Sequence, residues 1–126
     1  MRTMLAGKIH RATVTEANVD YEGSVTIDPV IMDAAGILPY ELVHILDLTN
    51  GARLETYAIE GRAGSGELCI NGAAGLLVRE RDLVIILHYE TVSEEEACRM
   101  TPRVVRVDAE NRIVATSDKI EPHTLY

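Results

Sequence analysis

Glycine precedes serine at Gly23-Ser24, where a polar stretch gives way to a strand-like run, Tyr21-Glu22-Gly23-Ser24-Val25-Thr26-Ile27-Asp28. The pair allows two readings. It is ordinary turn punctuation at a strand mouth, or it is a place where the chain reacts with itself. In the second case the serine hydroxyl attacks the carbonyl before it and the amide becomes an ester. Elimination at the serine then breaks the chain, and hydrolysis of the remaining dehydroalanine leaves a pyruvoyl group. Such a ketone forms a Schiff base with a substrate amine and serves as an electron sink, the work pyridoxal phosphate does elsewhere. The reaction wants a twisted peptide, and glycine before the serine best tolerates unusual dihedrals. The dipeptide alone is too common to choose between the readings.

Other chemistry finds less support. His10, His44, His88 and His123 are scattered, with no i, i+4 pair and no cysteine cluster, so no metal site is expected. Gly61 to Gly66 does not fit a dinucleotide fingerprint, and Ser24 lacks the G-x-S-x-G setting of an esterase elbow.

The elements that must hold these residues are short. Val and Ile alternate with polar residues after Ser24, which predicts a strand. A strand is also expected over residues 3 to 15, and a loop over Glu16 to Asp20. Asp28-Pro29 starts and Gly36 stops a helix over Val30 to Ala35. Leu42 to Leu48 and Arg53 to Ile59 read as a hairpin joined at Asn50-Gly51. In the second arm Leu54, Thr56 and Ala58 share one face, and Arg53, Glu55, Tyr57 and Ile59 the other. Leu68 to Ile70 is a short strand before Asn71-Gly72-Ala73-Ala74-Gly75, and Leu83 to Leu87 a central one. Ser93-Glu94-Glu95-Glu96 has the form of a capping box. Pro102 to Val107 and Arg112 to Thr116 make a last strand pair, and a loose polar tail follows from Lys119. Many short strands with two short helices predict a mainly β protein built as a barrel.

The 126 residues make one domain, and with neither Phe nor Trp the core must come from Val, Ile, Leu, Ala and Met. A net charge of −8 argues against nucleic acid and anionic membranes. A small acidic ligand would need a local cation in its pocket. Cys69 and Cys98 form no metal motif, and a domain of this size needs no disulfide. The N-terminus meets charge too early for a signal peptide, and no apolar run has membrane-spanning length, so a soluble cytoplasmic protein is expected.

Several separate stretches resemble the bacterial aspartate 1-decarboxylase family, the pyruvoyl enzymes. They are Arg2-Thr3-Met4-Leu5, Lys8-Ile9-His10-Arg11-Ala12, Tyr21-Glu22-Gly23-Ser24 with Thr26-Ile27-Asp28, and Asp33-Ala34-Ala35-Gly36-Ile37. Thr49-Asn50-Gly51, Arg53, Glu55-Thr56-Tyr57-Ala58-Ile59, Asn71-Gly72-Ala73-Ala74 and Asp82-Leu83-Val84-Ile85-Ile86 continue the match, in order, to about Val107. Gly75, where the family more often has alanine or a similar residue, and Glu80-Arg81, in place of a usual Pro-Gly at a turn away from the chemistry, depart from the pattern.

The resemblance implies a double-psi β-barrel and a homotetramer of protomers cut into residues 1–23 and 24–126. It implies decarboxylation of L-aspartate to β-alanine for pantothenate synthesis, with a pyruvoyl group from Ser24 and neither metal nor pyridoxal phosphate. Whether a helper protein assists maturation stays open. By the same resemblance Tyr57 is the proton donor and Arg53 binds a substrate carboxylate. Thr56, Gly72, Ala73 and Ala74 contact substrate. Asn71 steadies the oxyanion of self-cleavage, and Lys8, His10 and Tyr21 play supporting parts. Two other classes compete: a non-catalytic β-barrel in which Gly23-Ser24 merely turns, and a pyruvoyl decarboxylase for another amino acid such as glutamate.

Overall fold

The computed structural model describes residues 1–125. Its strands are β1 (Arg2–Thr13), β2 (Glu16–Asn18), β3 (Ser24–Ile27), β4 (Leu42–Asp47), β5 (Arg53–Glu60), β6 (Leu68–Asn71), β7 (Leu83–Val92), β8 (Arg103–Val107) and β9 (Ile113–Ser117). Two short helices, α1 (Pro29–Ala35) and α2 (Glu94–Ala97), complete it, with a 3-10 turn over Gly72–Leu76. The strands form one mixed sheet in the order β2-β6-β3-β5-β4-β7-β1-β8-β9. The protein is thus mainly β, as its residue pattern predicts.

The sheet curls on itself. Just past β1, the Thr15 N–H donates to the Leu68 carbonyl at 2.9 Å, and Thr15 Oγ1 accepts from Leu68 N at 2.9 Å. Chain leaving β1 therefore meets β6, far from β1 in the strand order, as a barrel requires. Ile9, Val25, Val43, Ile45, Ile70 and Ile86 are almost wholly buried inside the curl. Each such side chain is worth roughly 1.5–3 kcal/mol on burial, so small aliphatics suffice without Phe or Trp.

Local signals read well where they are self-contained. Asp28 caps α1 by accepting from Val30 N at 2.9 Å, and Gly36 ends it in the left-handed region at φ 75°. Asp28 also accepts from Gly64 N at 3.0 Å and Gly66 N at 2.9 Å, which pins the glycine loop onto the helix start. Burial pushes its carboxyl upward, but the N–H groups of Gly66, Val30 and Gly64 outweigh that and hold it below the usual range. At α2, Ser93 Oγ accepts from Glu96 N at 3.1 Å, so the capping residue is as expected.

Two expectations are corrected. Glu16–Asn18 is a strand, not a loop: it pairs in parallel with Cys69–Asn71, a partner remote in sequence. β7 runs past Leu87 to Val92 because Arg2 to Leu5 pair with its second half. The polar residue that interrupts its apolar run, His88, is buried and fully engaged, with Nδ1 2.7 Å from Glu41 Oε2 and Nε2 2.8 Å from the Ala35 carbonyl. Arg81 takes φ 79°, a left-handed conformation that costs a side-chain-bearing residue energy. The tail from Lys119 to Leu125 carries no helix or strand, and Tyr126 lies outside the described residues.

Two buried carboxyls, Asp47 and Asp82, meet beside the β4–β5 hairpin. Asp47 Oδ1 accepts from Thr49 N at 2.7 Å and Asn50 N at 3.2 Å. Its Oδ2 is buried without a well-formed hydrogen bond among the described residues, and the carboxyl facing it is that of Asp82. Burial and Asp82 raise Asp47, while hydrogen bonding to Asp47 lowers Asp82. A raised carboxyl favours folding while it is protonated, below its unfolded value, and loses that contribution as pH climbs through the folded value. Asp47→Asn keeps the Oδ1 acceptor and removes the ionisation. We expect its stability relative to the parent to improve between pH 4 and pH 8, read by urea unfolding at both; a relative stability that stays flat or falls over that range would refute the pairing.

Candidate active site

Ser24 and Asn71 lie directly opposite each other where β3 and β6 pair antiparallel, and Thr26 and Cys69 are the next same-face pair. Side chains two apart on a strand share a face, so the four polar groups converge. Asn71 Nδ2 donates to Ser24 Oγ at 2.8 Å and to Thr26 Oγ1 at 2.9 Å. Asn71 Oδ1 accepts from the Cys69 thiol at 2.9 Å. Ser24 Oγ in turn donates to the Glu22 carbonyl at 3.3 Å. Ser24, Cys69 and Asn71 are each no more than 3% exposed, so water does not compete for these bonds.

An amide donor on Ser24 Oγ stabilises negative charge there as the hydroxyl proton leaves. Asn71 therefore bonds directly to the Ser24 hydroxyl oxygen. Thr26 and Cys69 were not among the candidate residues. The two i, i+2 spacings were available as a signal, but nothing local says that β3 pairs with β6.

The two glycines beside Ser24 differ in their surroundings. Gly23 is exposed, has no positive φ, and a Cβ on it would meet nothing within 4 Å. Gly72 adopts φ 73°, and a Cβ there would stand 2.6 Å from Gly23 Cα and 2.9 Å from Gly23 N. The backbone before Ser24 rests on Gly72. We expect Gly72→Ala to retard chain cleavage at least tenfold more than Gly23→Ala, timed by the appearance of two masses; equal effects would remove this assignment.

Tyr57 is brought alongside. Val25 opposes Ala58 in the parallel β3–β5 pair, and one step back in that register sets Ser24 beside Tyr57. Tyr57 is 37% exposed, on the same strand face as Arg53. Four residue steps along the strand separate the two, roughly 13 Å at 3.3 Å per step. Thr56 faces the other way, half-buried and opposite Val43. Ala73 is exposed and Ala74 half-buried in the 3-10 turn that follows Asn71, and Tyr21 is exposed.

Lys8 and His10 stand in a different group, on β1. A bulge between Ile9 and Ala12 carries Arg11 at φ 60° and sets His10 beside a cavity of about 380 Å³ lined by Arg11, Leu83, Arg106 and Val107. Burial, then the charges of Lys8, Arg106 and Arg11, push His10 down to about 4, so it is neutral at pH 7. Burial and the Arg106 charge also lower Lys8. The result is a local positive patch on an acidic protein.

The sequence model of the family described as aspartate decarboxylase matches residues 1–114. A protein of Corynebacterium efficiens named aspartate 1-decarboxylase is 54% identical over 123 residues, covering 97% of this chain and 90% of its own. Two proteins of that name from strains of Dehalococcoides mccartyi are 51% and 52% identical, covering 97% and 93% of this chain and 98% and 94% of their own. With a family match over residues 1–114 and agreement along nearly the whole length of three relatives, this protein belongs to the aspartate decarboxylase family.

Proposed function

We propose that the protein cleaves itself between Gly23 and Ser24 and then decarboxylates L-aspartate to β-alanine and carbon dioxide, for pantothenate synthesis. The observation that carries the reading is the buried Ser24–Asn71 pair, 2.8 Å apart, in a chain of this family. Ser24 Oγ bonds to the Gly23 carbonyl carbon, and the Gly23–Ser24 amide breaks to give an ester with a free Ser24 amine. Loss of the Ser24 α-proton expels the Gly23 carboxylate. Water then replaces nitrogen, which leaves as ammonia. Residues 1–23 and 24–126 result.

The neighbours suit the group so formed. A ketone oxygen only accepts hydrogen bonds, and Asn71 Nδ2 and the Thr26 hydroxyl are donors on that face. When formed, the pyruvoyl group supplies an electrophile for the substrate amine and a sink for the electron pair that carbon dioxide leaves behind. Arg53 offers a planar fork for a substrate carboxylate. Tyr57 delivers a proton to the former α-carbon, and Gly72, Ala73 and Ala74 line the approach, with Thr56, of opposite strand parity, reaching it through its backbone. Tyr21 shields it.

The working form is a homotetramer of double-psi barrels, soluble in the cytoplasm. Support for assembly comes from large apolar side chains left exposed about the site, among them Tyr21, Leu42, Tyr57 and Leu76. Assembly is also how the Lys8 and His10 patch on β1 would serve a site on β3 and β5. Denatured mass of the purified protein tests the reading. Two masses split at Gly23/Ser24, the larger with a pyruvoyl terminus, together with β-alanine production, are expected. A single full-length mass after prolonged warming, without turnover, would refute it.

A further inference from the structure

We infer that Cys69 is a positioning residue for self-cleavage: its thiol holds the Asn71 side-chain amide in the orientation that presents Nδ2 to Ser24. The inference rests on the cleavage reading above. An amide has one oxygen end and one nitrogen end, and a half-turn exchanges them. With the nitrogen end toward Ser24, Asn71 donates to the nucleophile's oxygen and supports charge as it develops. Turned over, it would present an acceptor to that oxygen and oppose the charge.

Two hydroxyls on one side do not decide the matter, because Ser24 and Thr26 can each donate or accept. The group across Asn71 decides it. Cys69 Sγ lies 2.9 Å from Asn71 Oδ1, and Cys69 is 2% exposed. Burial, with the charges of Glu16 and Glu67, pushes the thiol up to about 11, so it remains protonated and a donor at neutral pH. A protonated thiol favours the oxygen end of the amide and leaves the nitrogen end for Ser24 and Thr26. The register enforces this: Cys69 and Asn71 are same-face neighbours on β6, opposite Thr26 and Ser24.

Packing alone would also make Cys69 sensitive to substitution, so the variants must separate donor from volume. Ser keeps a donor and loses volume; Val keeps volume and loses the donor; Ala loses both. Precursor freshly made from each chain is followed by mass for fragments 1–23 and 24–126. One hydrogen bond of ordinary strength corresponds to about a five- to tenfold rate change. Cys69→Ala and Cys69→Val are expected to cleave about five- to tenfold more slowly than the parent, and Cys69→Ser within about twofold of it. Parent-like cleavage by Cys69→Ala, or rescue by Val and not by Ser, would overturn the inference while cleavage itself stands. A parent that stays intact under the same warming would overturn the cleavage reading and this inference together.

Discussion

Ser24→Ala is expected to yield one mass, that of the uncut chain, and no detectable aspartate turnover. The nucleophile is the hydroxyl oxygen, and no other atom of the variant can take its place on the Gly23 carbonyl. Without cleavage no ketone forms, so both readouts fall together. The fold should persist. Ser24 is a small buried side chain at the first position of β3, and Ala fills nearly the same space. Asn71 Nδ2 loses one acceptor but keeps Thr26 Oγ1 at 2.9 Å and the thiol on its oxygen. That loss is worth about 1 kcal/mol, which a circular dichroism melt would register as a small shift. Two fragments, or turnover equal to the parent's, would end the proposed mechanism.

Tyr57→Phe should behave in the opposite way, cleaving normally yet failing at turnover. The substitution keeps the ring and removes only the phenol. Tyr57 lies on the exposed face of β5, beside Ser24 through the β3–β5 register, and outside the Ser24–Asn71–Thr26–Cys69 group. Chain cleavage should therefore proceed at the parent rate. Protonation of the carbon that has lost carbon dioxide would lack its donor, and a positioned general acid is worth on the order of 10²–10⁴ in rate. The loss should fall on kcat, with KM little changed, because Arg53 still binds the carboxylate. Cleaved Tyr57→Phe protein with unchanged kcat would place the donor elsewhere.

These two results would divide the site into the part that makes the reactive group and the part that uses it. The division follows the strands. The residues proposed for cleavage sit buried where β3 and β6 pair, while Arg53 and Tyr57 sit on the exposed face of β5. A serine that must react with its own backbone gains from water's exclusion. Arg53 and Tyr57, which must meet a diffusing substrate, are already open to solvent.

What the sequence by itself determined is local. Asp28-Pro29 and Gly36 bounded α1 because caps act within a turn. Asn50-Gly51 announced the reversal between β4 and β5, although the turn spans residues 48–51, closed by Asp47 N on the Ala52 carbonyl, with Gly51 at φ 77°. Strand alternation placed Arg53 and Tyr57 on one face, since period two needs no partner strand. The matched stretches singled out Ser24, Asn71 and Tyr57. Tertiary structure alone decided which of these residues meet. Glu16–Asn18 became a strand only through Cys69–Asn71, although Glu and Asn are weak strand formers. Thr26 and Cys69 joined Ser24 and Asn71 through an antiparallel register between segments more than forty residues apart, and Gly72, not Gly23, emerged as the crowded glycine. Such pairings depend on which distant strand offers hydrogen bonds and a matching buried face, and neither partner carries that information alone.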